Sequence, residues 1–530
     1  MKRNWYIKIT ACFITLFVII SSCKDALDLT PTNDITAEVA YKDLDGYKQV
    51  LAKVYGSFAL TSSNGPDKGD LAGIDPGTSD FLRLYWNAQE ITTDEAACNW
   101  NNPGVYDLNY MTWTSNNIIL QGLYTRSIYQ ITVCNEFLRE STDEKLSSRG
   151  ISSDDAATIR QYRTEARFLR AYQYWVLMDM FGNPPFITEA DAIGKKAPAQ
   201  IKRADLFSYI ETELKAIEGE IIAAHENEYG RADCGAVWAL LARLYINAEV
   251  YLGSGNNKYT DAITYALKVI NGGYSLNPVY RNLFLADNDK NNPEVIFSIN
   301  YDGISTQNFG GTTFLINAAT NAAMDAASFG IPGGGWGGIR SRDNLPAIFP
   351  DHSGNTDKRA MFFGSKQAME DIAVFTDGLA VTKFKNITSG GATAPSSNGT
   401  FCSTDFPLFR LAEMYLIYSE AVLRGGTGGN TGTALNYVNL LRERAFGNNT
   451  ANLGNLTLSN ILEERGRELY WEAFRRTDLI RFGKFTDASY IWPFKGGTRA
   501  GKGVEPFRSI FPIPVTDIIS NPNLVQNPGY

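Results

Sequence analysis

Apolar side chains recur at three- and four-residue steps along two long stretches of this chain, about 159–270 and 409–482. That period builds helices with one buried face and leaves little room for another fold. In 159–181, Tyr162, Ala166, Leu169, Tyr172, Val176 and Met180 share one stripe, and Gly182-Asn183-Pro184-Pro185 ends it. A helix over 204–222 follows. Residues 233–251 are Ala-rich and apolar on most sides, which predicts a buried helix, with 259–270 as its partner and Asn271-Gly272-Gly273 as the stop. Further on, 409–424, 434–445 and 458–480 read as helices, separated by the Gly-rich spans 425–432 and 447–455.

Helix pairs with small residues at their contacts resemble degenerate tetratricopeptide units. The expected fold is therefore mostly α, a tetratricopeptide-like helical-repeat scaffold. Two more helices are expected earlier. In 36–60, Leu44, Tyr47, Leu51, Val54 and Phe58 fall on one face, and 116–138 reads the same way. Residues 62–79 are rich in Gly, Asp, Ser and Pro, hence a loop. The region about 293–407 is rich in Gly, Asn, Thr and Ala, with strand-like runs at 295–300 and 380–384. It reads as loops and a few short strands laid over the scaffold, not as a separate domain, because the helical period resumes after it. Residues 36–530 are thus expected to be one domain.

The N-terminus has another logic. Lys2, Arg3 and Lys8 precede an apolar run over 9–20, followed by Ser21-Ser22-Cys23. This is the layout of a secretory signal over 1–22, and twelve apolar residues are too few to span a bilayer. Ile20-Ser21-Ser22-Cys23 resembles a lipobox, in which Cys23 becomes the acylated first residue. Residues 23–35 then form a lipidated Cys and a polar tether. An acylated Cys can hold a folded domain on a membrane without a spanning helix.

Charge and composition limit the chemistry. The formal net charge is −8, which opposes nucleic acid as a partner. Only 2 His stand against 9 Trp and 27 Tyr. His225 and His352 are isolated and read as surface residues. There is no G-x-S-x-G, H-E-x-x-H or Walker A motif. Gly333-Gly334-Gly335-Trp336-Gly337-Gly338 fits G-x-G-x-x-G formally, but Pro332 and the Trp deny it the strand–turn–helix context of a dinucleotide site. Cys98, Cys134, Cys234 and Cys402 are widely spaced with no C-x-x-C pair, so a zinc site is not expected; the default reading is four unpaired thiols, and the spacing leaves one or two disulfides open outside the cytoplasm. Glu463, Glu464 and Glu468 among Arg465, Arg467, Arg475 and Arg476 read as an ion-pair network on a helix. Asp287 and Asp289, with neighbouring Asn residues, place oxygen ligands close together without the EF-hand layout. Calcium there is an expectation that the spacing permits; no other cofactor is called for.

Aromatic and amide side chains crowd one stretch. Between residues 85 and 113 lie Tyr85, Trp86, Trp100, Tyr106, Tyr110 and Trp113, interleaved with Asn87, Asn99, Asn101, Asn102 and Asn109. Asn101-Asn102-Pro103-Gly104 is turn chemistry, which puts Trp100 at a loop tip. Trp336, with glycines on both sides, is a second Trp with little local cover. Trp175, Trp238 and Trp471 fall on expected helices and read as core. An indole on a loop suits a sugar, whose C–H face packs on the ring while its hydroxyls pair with Asn, Asp and Arg. The alternative is that both loop Trp cap the edge of the core.

Several segments resemble the SusD/RagB family of Bacteroidetes outer-membrane lipoproteins. RTEARFLRAYQYWVLMDMFGN over 163–183 is similar to its first long helix and stop. GRADCGAVWALLARLYINAEVY over 230–251 is similar to its small-residue helix. ERGRELYWEAFRRTDLIRFG over 464–483 is similar to its Arg-rich C-terminal helix, and FPIPVTDIISNPNLVQNPGY over 511–530 to its ending. Lys24-Asp25 after Cys23 resembles the surface-export signal of Bacteroidetes lipoproteins. ITTDEAACNW, FLADND, NFGGTTFLI and TDFPLFRLAEMYL resemble its starch-binding members. The resemblance implies a helical scaffold with an irregular, loop-rich ligand face, a place on the cell surface of the outer membrane, partnership with a SusC-like TonB-dependent transporter, and no enzymatic activity. It further implies an aromatic arc of Trp100 and Trp336, with Phe309 at a position occupied by Tyr in starch binders. Asp75 and Arg83 would bond hydroxyls, and Asn101 or Asn102 would replace a family Asn. The implied ligand is an α-glucan such as starch or a maltooligosaccharide. Three other readings stay open: the same scaffold on another glycan or a peptide, a glycosidase using Asp94 and Glu95, and a structural lid for the transporter.

Overall fold

A computed structural model describes residues 36–194, 196–396 and 398–530. The signal, Cys23 and the tether expected at 1–35 lie outside the described residues. Helices dominate: α1 Leu44–Ala59, α2 Phe81–Trp86, α3 Ile118–Glu140, α4 Ser153–Phe181, α5 Arg203–Ile217, α6 Cys234–Ile246, α7 Tyr259–Ile270, α8 Gly311–Ala318, α9 Leu411–Leu423, α10 Thr431–Phe446, α11 Leu458–Leu469 and α12 Arg475–Arg481. Side-chain caps set many of the starts. Asp43, Asn117, Ser152, Asp233 and Asn430 each accept a backbone N–H of the first turn, and Thr457 with Asn460 forms a reciprocal capping box.

The scaffold is a succession of neighbouring helices. α3 packs on α4 and α4 on α5; α6 packs on α7, α7 on α9, and α9 on α10 and α11. The α7–α9 contact matters most for the site. The chain leaves the scaffold after Ile270, runs out for about 140 residues and returns at Leu411 against the helix it left. Two antiparallel pairs tie this excursion down. β1 Ala96–Cys98 pairs with β3 Ile339–Ser341, and β2 Val295–Ile299 pairs with β4 Phe406–Arg410. β2 and β4 close the base of the excursion. β1 and β3 attach its far part to the N-terminal region.

Several expectations change. The span 233–251 is not one helix: it breaks at Asn247, and Ala248–Leu252 follows. α9 starts two residues later than expected because 406–410 is strand β4. The excursion contains a helix, α8, that its Gly- and Thr-rich sequence hides. The span 458–480 is also broken. Trp471 and Ala473 take positive φ of 68° and 62°, and the N–H groups freed there go to carboxylates, Trp471 to Glu95 and Phe474 to Glu90. Tertiary partners outcompete the local helix at that point. Trp175 and Trp471 are core, whereas Trp238 is only partly buried, its indole N–H donated to Glu218.

The acidic and basic residues of α11 form a buried network reaching well beyond their own helix. Glu464 pairs with Arg359, Arg442 and Arg467, and Glu468 with Arg359, Arg410 and Arg444. Arg465 turns to Asp478 and Arg475 to Asp94. Cys98, Cys134, Cys234 and Cys402 are buried free thiols.

Candidate functional site

β1 and β3 are short and fully buried, and their register decides what meets beyond their ends. Cys98 faces Ile339, and Asn99 N–H continues the ladder to the Gly338 carbonyl at 3.0 Å. One more step brings the loop starting at Trp100 beside the loop ending at Gly337. The two indoles that lie 236 positions apart in sequence thus stand with ring centroids 6.4 Å apart and planes tilted by 43°. Phe309 continues the row, 6.3 Å from Trp336 and tilted by 51°. Each ring is turned against the one before it, so the three partly exposed rings form a curved apolar surface.

The glycines beside Trp336 have specific tasks. Trp336, Gly337 and Gly338 donate their N–H groups to the carbonyls of Asn317, Thr320 and Ala318, at the C-terminal end of α8. This backbone lies against α8 so closely that a Cβ at Gly335 would overlap Thr320, and one at Gly338 would run into the Trp100 indole. Glycine here is a condition of close approach. It is not a phosphate cradle, since the N–H groups of Trp336, Gly337 and Gly338 are spent on α8.

Arg83 sits behind the arc. Asp80 caps α2, accepting Arg83 N–H at 3.1 Å, and also accepts Gly311 N–H at 3.0 Å, so one buried carboxylate joins α2 to the start of α8. The other five residues of α2 are buried, and only Arg83 turns toward the arc. Its guanidinium lies 4.5 Å from the Phe314 centroid and 5.5 Å from that of Trp100. Nη1 donates to the carbonyls of Gly77 (2.6 Å) and Phe309 (3.3 Å). Burial lowers the Arg83 pKa, with Asp80 opposing. A cavity of about 110 Å³ opens below Trp100, and Asp75, Arg83, Asn102 and Phe314 share its wall. Cys98 also lines it; burial pushes that thiol up to about 11, so it stays protonated at neutral pH.

Of the seven residues expected to form the site, Trp100, Trp336, Phe309 and Arg83 are joined by these contacts. Asp75 and Asn102 line the adjoining cavity and are exposed, while Asn101 is exposed at the loop tip and does not line it. Trp100 is not a bare tip residue: Phe314 meets it edge-on at 6.0 Å. Sequence reasoning missed the supports of the arc, Asp80, Phe314 and Phe401, the last packed 5.3 Å from Phe309. The adjacent pair Gly310-Gly311 was the one signal for Asp80, because a Cβ at Gly310 would overlap its carboxylate.

Asp94 and Glu95 are not a catalytic pair in a cleft. Both are buried. Asp94 is gripped by Arg475 through two bonds of 2.7 Å and by Tyr490. Burial pushes the Asp94 carboxyl up, and Arg475 outweighs it, leaving the group below its usual range. Glu95 faces Glu90 and the Trp471 N–H. Neither can reach a saccharide on the surface. Asp287 accepts the N–H and hydroxyl of Ser389. Asn288, between the two aspartates, is spent on Leu283 and Asp405. Among the described residues, no group of three or more His, Cys, Asp or Glu side chains stands ready for a metal.

The profile of the SusD family matches residues 354–530. The starch-binding protein SusD of Bacteroides thetaiotaomicron is 35% identical, covering 96% of this chain and 96% of its own length. A SusD-like protein of Formosa agariphila, P2, is 25% identical over 98% and 99% of the two chains. Among solved structures, surface glycan-binding protein A of B. thetaiotaomicron in complex with laminarihexaose superposes with a TM-score of 0.70 at 21% identity, covering 91% of this chain and 99% of that one. A laminarin-binding SusD-like protein superposes at 0.68 and 22% identity, covering 92% of this chain and all of that one. At those identities the superpositions establish the fold, and the long 35% match establishes descent: the chain belongs to the SusD family, whose members bind carbohydrate without catalysing its cleavage.

Proposed function

We propose that this protein is a non-catalytic cell-surface receptor that captures an α-glucan, starch or a maltooligosaccharide. The observation that carries the reading is the tilted row Trp100–Trp336–Phe309 with Arg83 behind it. Stacked sugars need flat apolar faces, and a helical glucan needs those faces to turn from one residue to the next. Asp75, Arg83, Asn101 and Asn102 bond hydroxyls at the margin. The 35% relative named for starch binding supports an α-linked ligand. Phe309 stacks but offers no hydroxyl. The ligand is neutral, so an acidic protein does not repel it, and binding needs no cofactor.

In this reading Cys23 carries the lipid that holds the protein on the outer membrane, and a SusC-like TonB-dependent transporter receives the glucan. No helix among the described residues is long and apolar enough to cross a membrane. Native gels cast with amylopectin test the reading. The wild type is expected to be retarded, and Trp100→Ala with Trp336→Ala to run free. Equal retardation of both sinks the site. Retardation by laminarin in place of amylopectin reassigns the glucan.

A further inference from the structure

A second cavity, of about 310 Å³, lies between the turn at Tyr280–Phe284 and residues 382–391. Its wall holds Arg281, Lys358, Lys383 and Lys385, and no carboxylate side chain lines it. In a chain of net charge −8, four cations around one hollow, with Asp287 behind the wall and bonded to Ser389, are conspicuous. Arg281 and Lys358 reach the hollow from the exposed side and Lys385 is half-buried, whereas the buried cations beside them are paired. Lys383, in the same wall, donates to Glu472 and to the carbonyl of Tyr470, and Arg359, next to Lys358, is held by Asp357, Glu464 and Glu468. Among the described residues, Arg281, Lys358 and Lys385 make no ion pair and no side-chain hydrogen bond to an acceptor. Lys385 is half-buried, its ammonium 4.6 Å from the Phe329 centroid. Burial lowers its pKa and the Arg281 guanidinium lowers it further, with no acid opposing.

Lys385, partly dried and facing the like charge of Arg281, gains if an anion joins the two. Thr382 and Thr388 bring hydroxyls to the same wall, and Thr388 Oγ1 already accepts the Ala392 N–H, which leaves its proton to donate. Ammonium, guanidinium and hydroxyl donors sharing one wall suit the several acceptor oxygens of a phosphate or sulfate group. The cavity is roomy enough for such a group and part of a sugar attached to it.

We propose that Arg281, Lys358 and Lys385 form a binding site for a phosphate or sulfate group, free or carried as an ester on a saccharide. The site lies apart from the aromatic arc and does not depend on the reading of that arc. The two are nonetheless linked through the chain. Asn386 N–H bonds the Phe329 carbonyl, and the turn Ala326–Phe329 leads into the loop that presents Trp336.

Calorimetry on the full mature chain at low salt tests the site with inorganic phosphate, glucose 6-phosphate and glucose. Phosphate is expected to bind, glucose not, and raised ionic strength to weaken the binding. Arg281 and Lys358 are exposed, so Arg281→Ala with Lys358→Ala is expected to fold normally and to weaken phosphate at least about tenfold. Lys385→Gln is expected to weaken it as well, and Trp100→Ala to leave it unchanged. Glucose 6-phosphate binding as tightly as phosphate marks the site as one for esters; phosphate alone marks it as one for the free ion. Failure of both anions to bind, or unchanged affinity in the double variant, overturns the proposal.

Discussion

Arg83 shows how much one side chain can be asked to do. It is a cation packed on both Phe314 and Trp100, a clamp on the Gly77 and Phe309 carbonyls, and a donor at the edge of the cavity. Arg83→Met keeps most of the packing and removes every donor. Calorimetry with maltoheptaose is expected to show a loss of about 1.5–3 kcal/mol. Trp336→Ala removes the middle ring, and the expected loss is about 2 kcal/mol or more, near thirtyfold in affinity. Phe309→Tyr restores a hydroxyl at the end of the row. A few-fold gain in affinity is expected, about 1 kcal/mol at most, and a loss would show that the ring is buried against the ligand with no room for the oxygen.

At the scale of elements, the β1–β3 pair determines the site. Three paired residues on each side place Trp100 against Trp336, and α8 holds the second loop by its backbone. Gly338→Ala alters neither Trp, yet its Cβ would push the Trp100 indole aside. The variant is expected to lose glucan affinity about tenfold while its urea midpoint moves little, because the indole is at the rim and can swing. A large drop in the midpoint with affinity kept would show that the ring is fixed and the backbone yields. The broken helix between α11 and α12 follows the same logic. Its N–H groups face Glu90 and Glu95, and these carboxyls tie the turn at Trp471 to residues near the start of β1.

At the scale of the whole molecule, buried carboxyl groups set the response to pH. Burial pushes Glu90 up to about 7 and Asp405 to about 7; burial and the neighbouring Glu90 push Glu95 up as well. A folded value above the unfolded one means that the folded state keeps protons that the unfolded state gives up. The stabilisation is complete below the ordinary carboxyl range and is lost as pH rises through about 7. Thermal melts are expected to fall between pH 5.5 and 8, by about 2 °C or more, and Glu95→Gln to flatten that slope. Glu464 behaves in the opposite way. Burial pushes it up, but Arg359, Arg467 and Arg442 prevail and hold it at about 2, so its contribution is lost only in strong acid. Glu468 is shared by Arg359, Arg410 and Arg444. Glu468→Gln leaves those cations short of a partner in the interior, and urea titration is expected to show a loss of about 3–5 kcal/mol.

The helical scaffold was legible because a buried helix face repeats every three or four residues, and Tyr162 through Met180 display that repeat openly. Capping residues and Gly182 marked the ends for the same reason: local backbone groups need local partners. The loop aromatics were legible as candidates, since Trp100 and Trp336 lack cover in their own segments, and their roles came from resemblance. The break at Trp471 was not legible, because it depends on carboxylates from 376 and more residues away in sequence. Nor was α8, whose Gly- and Thr-rich start forms a helix only against Asp80 and the scaffold. The same holds for the cluster of Arg281, Lys358 and Lys385, three cations with nothing in common until the excursion folds back. Sequence alone determined what is periodic and local. Tertiary structure decided which distant loops meet, because pairing across hundreds of residues is set by packing and register, and neither is written in the spacing of any one segment.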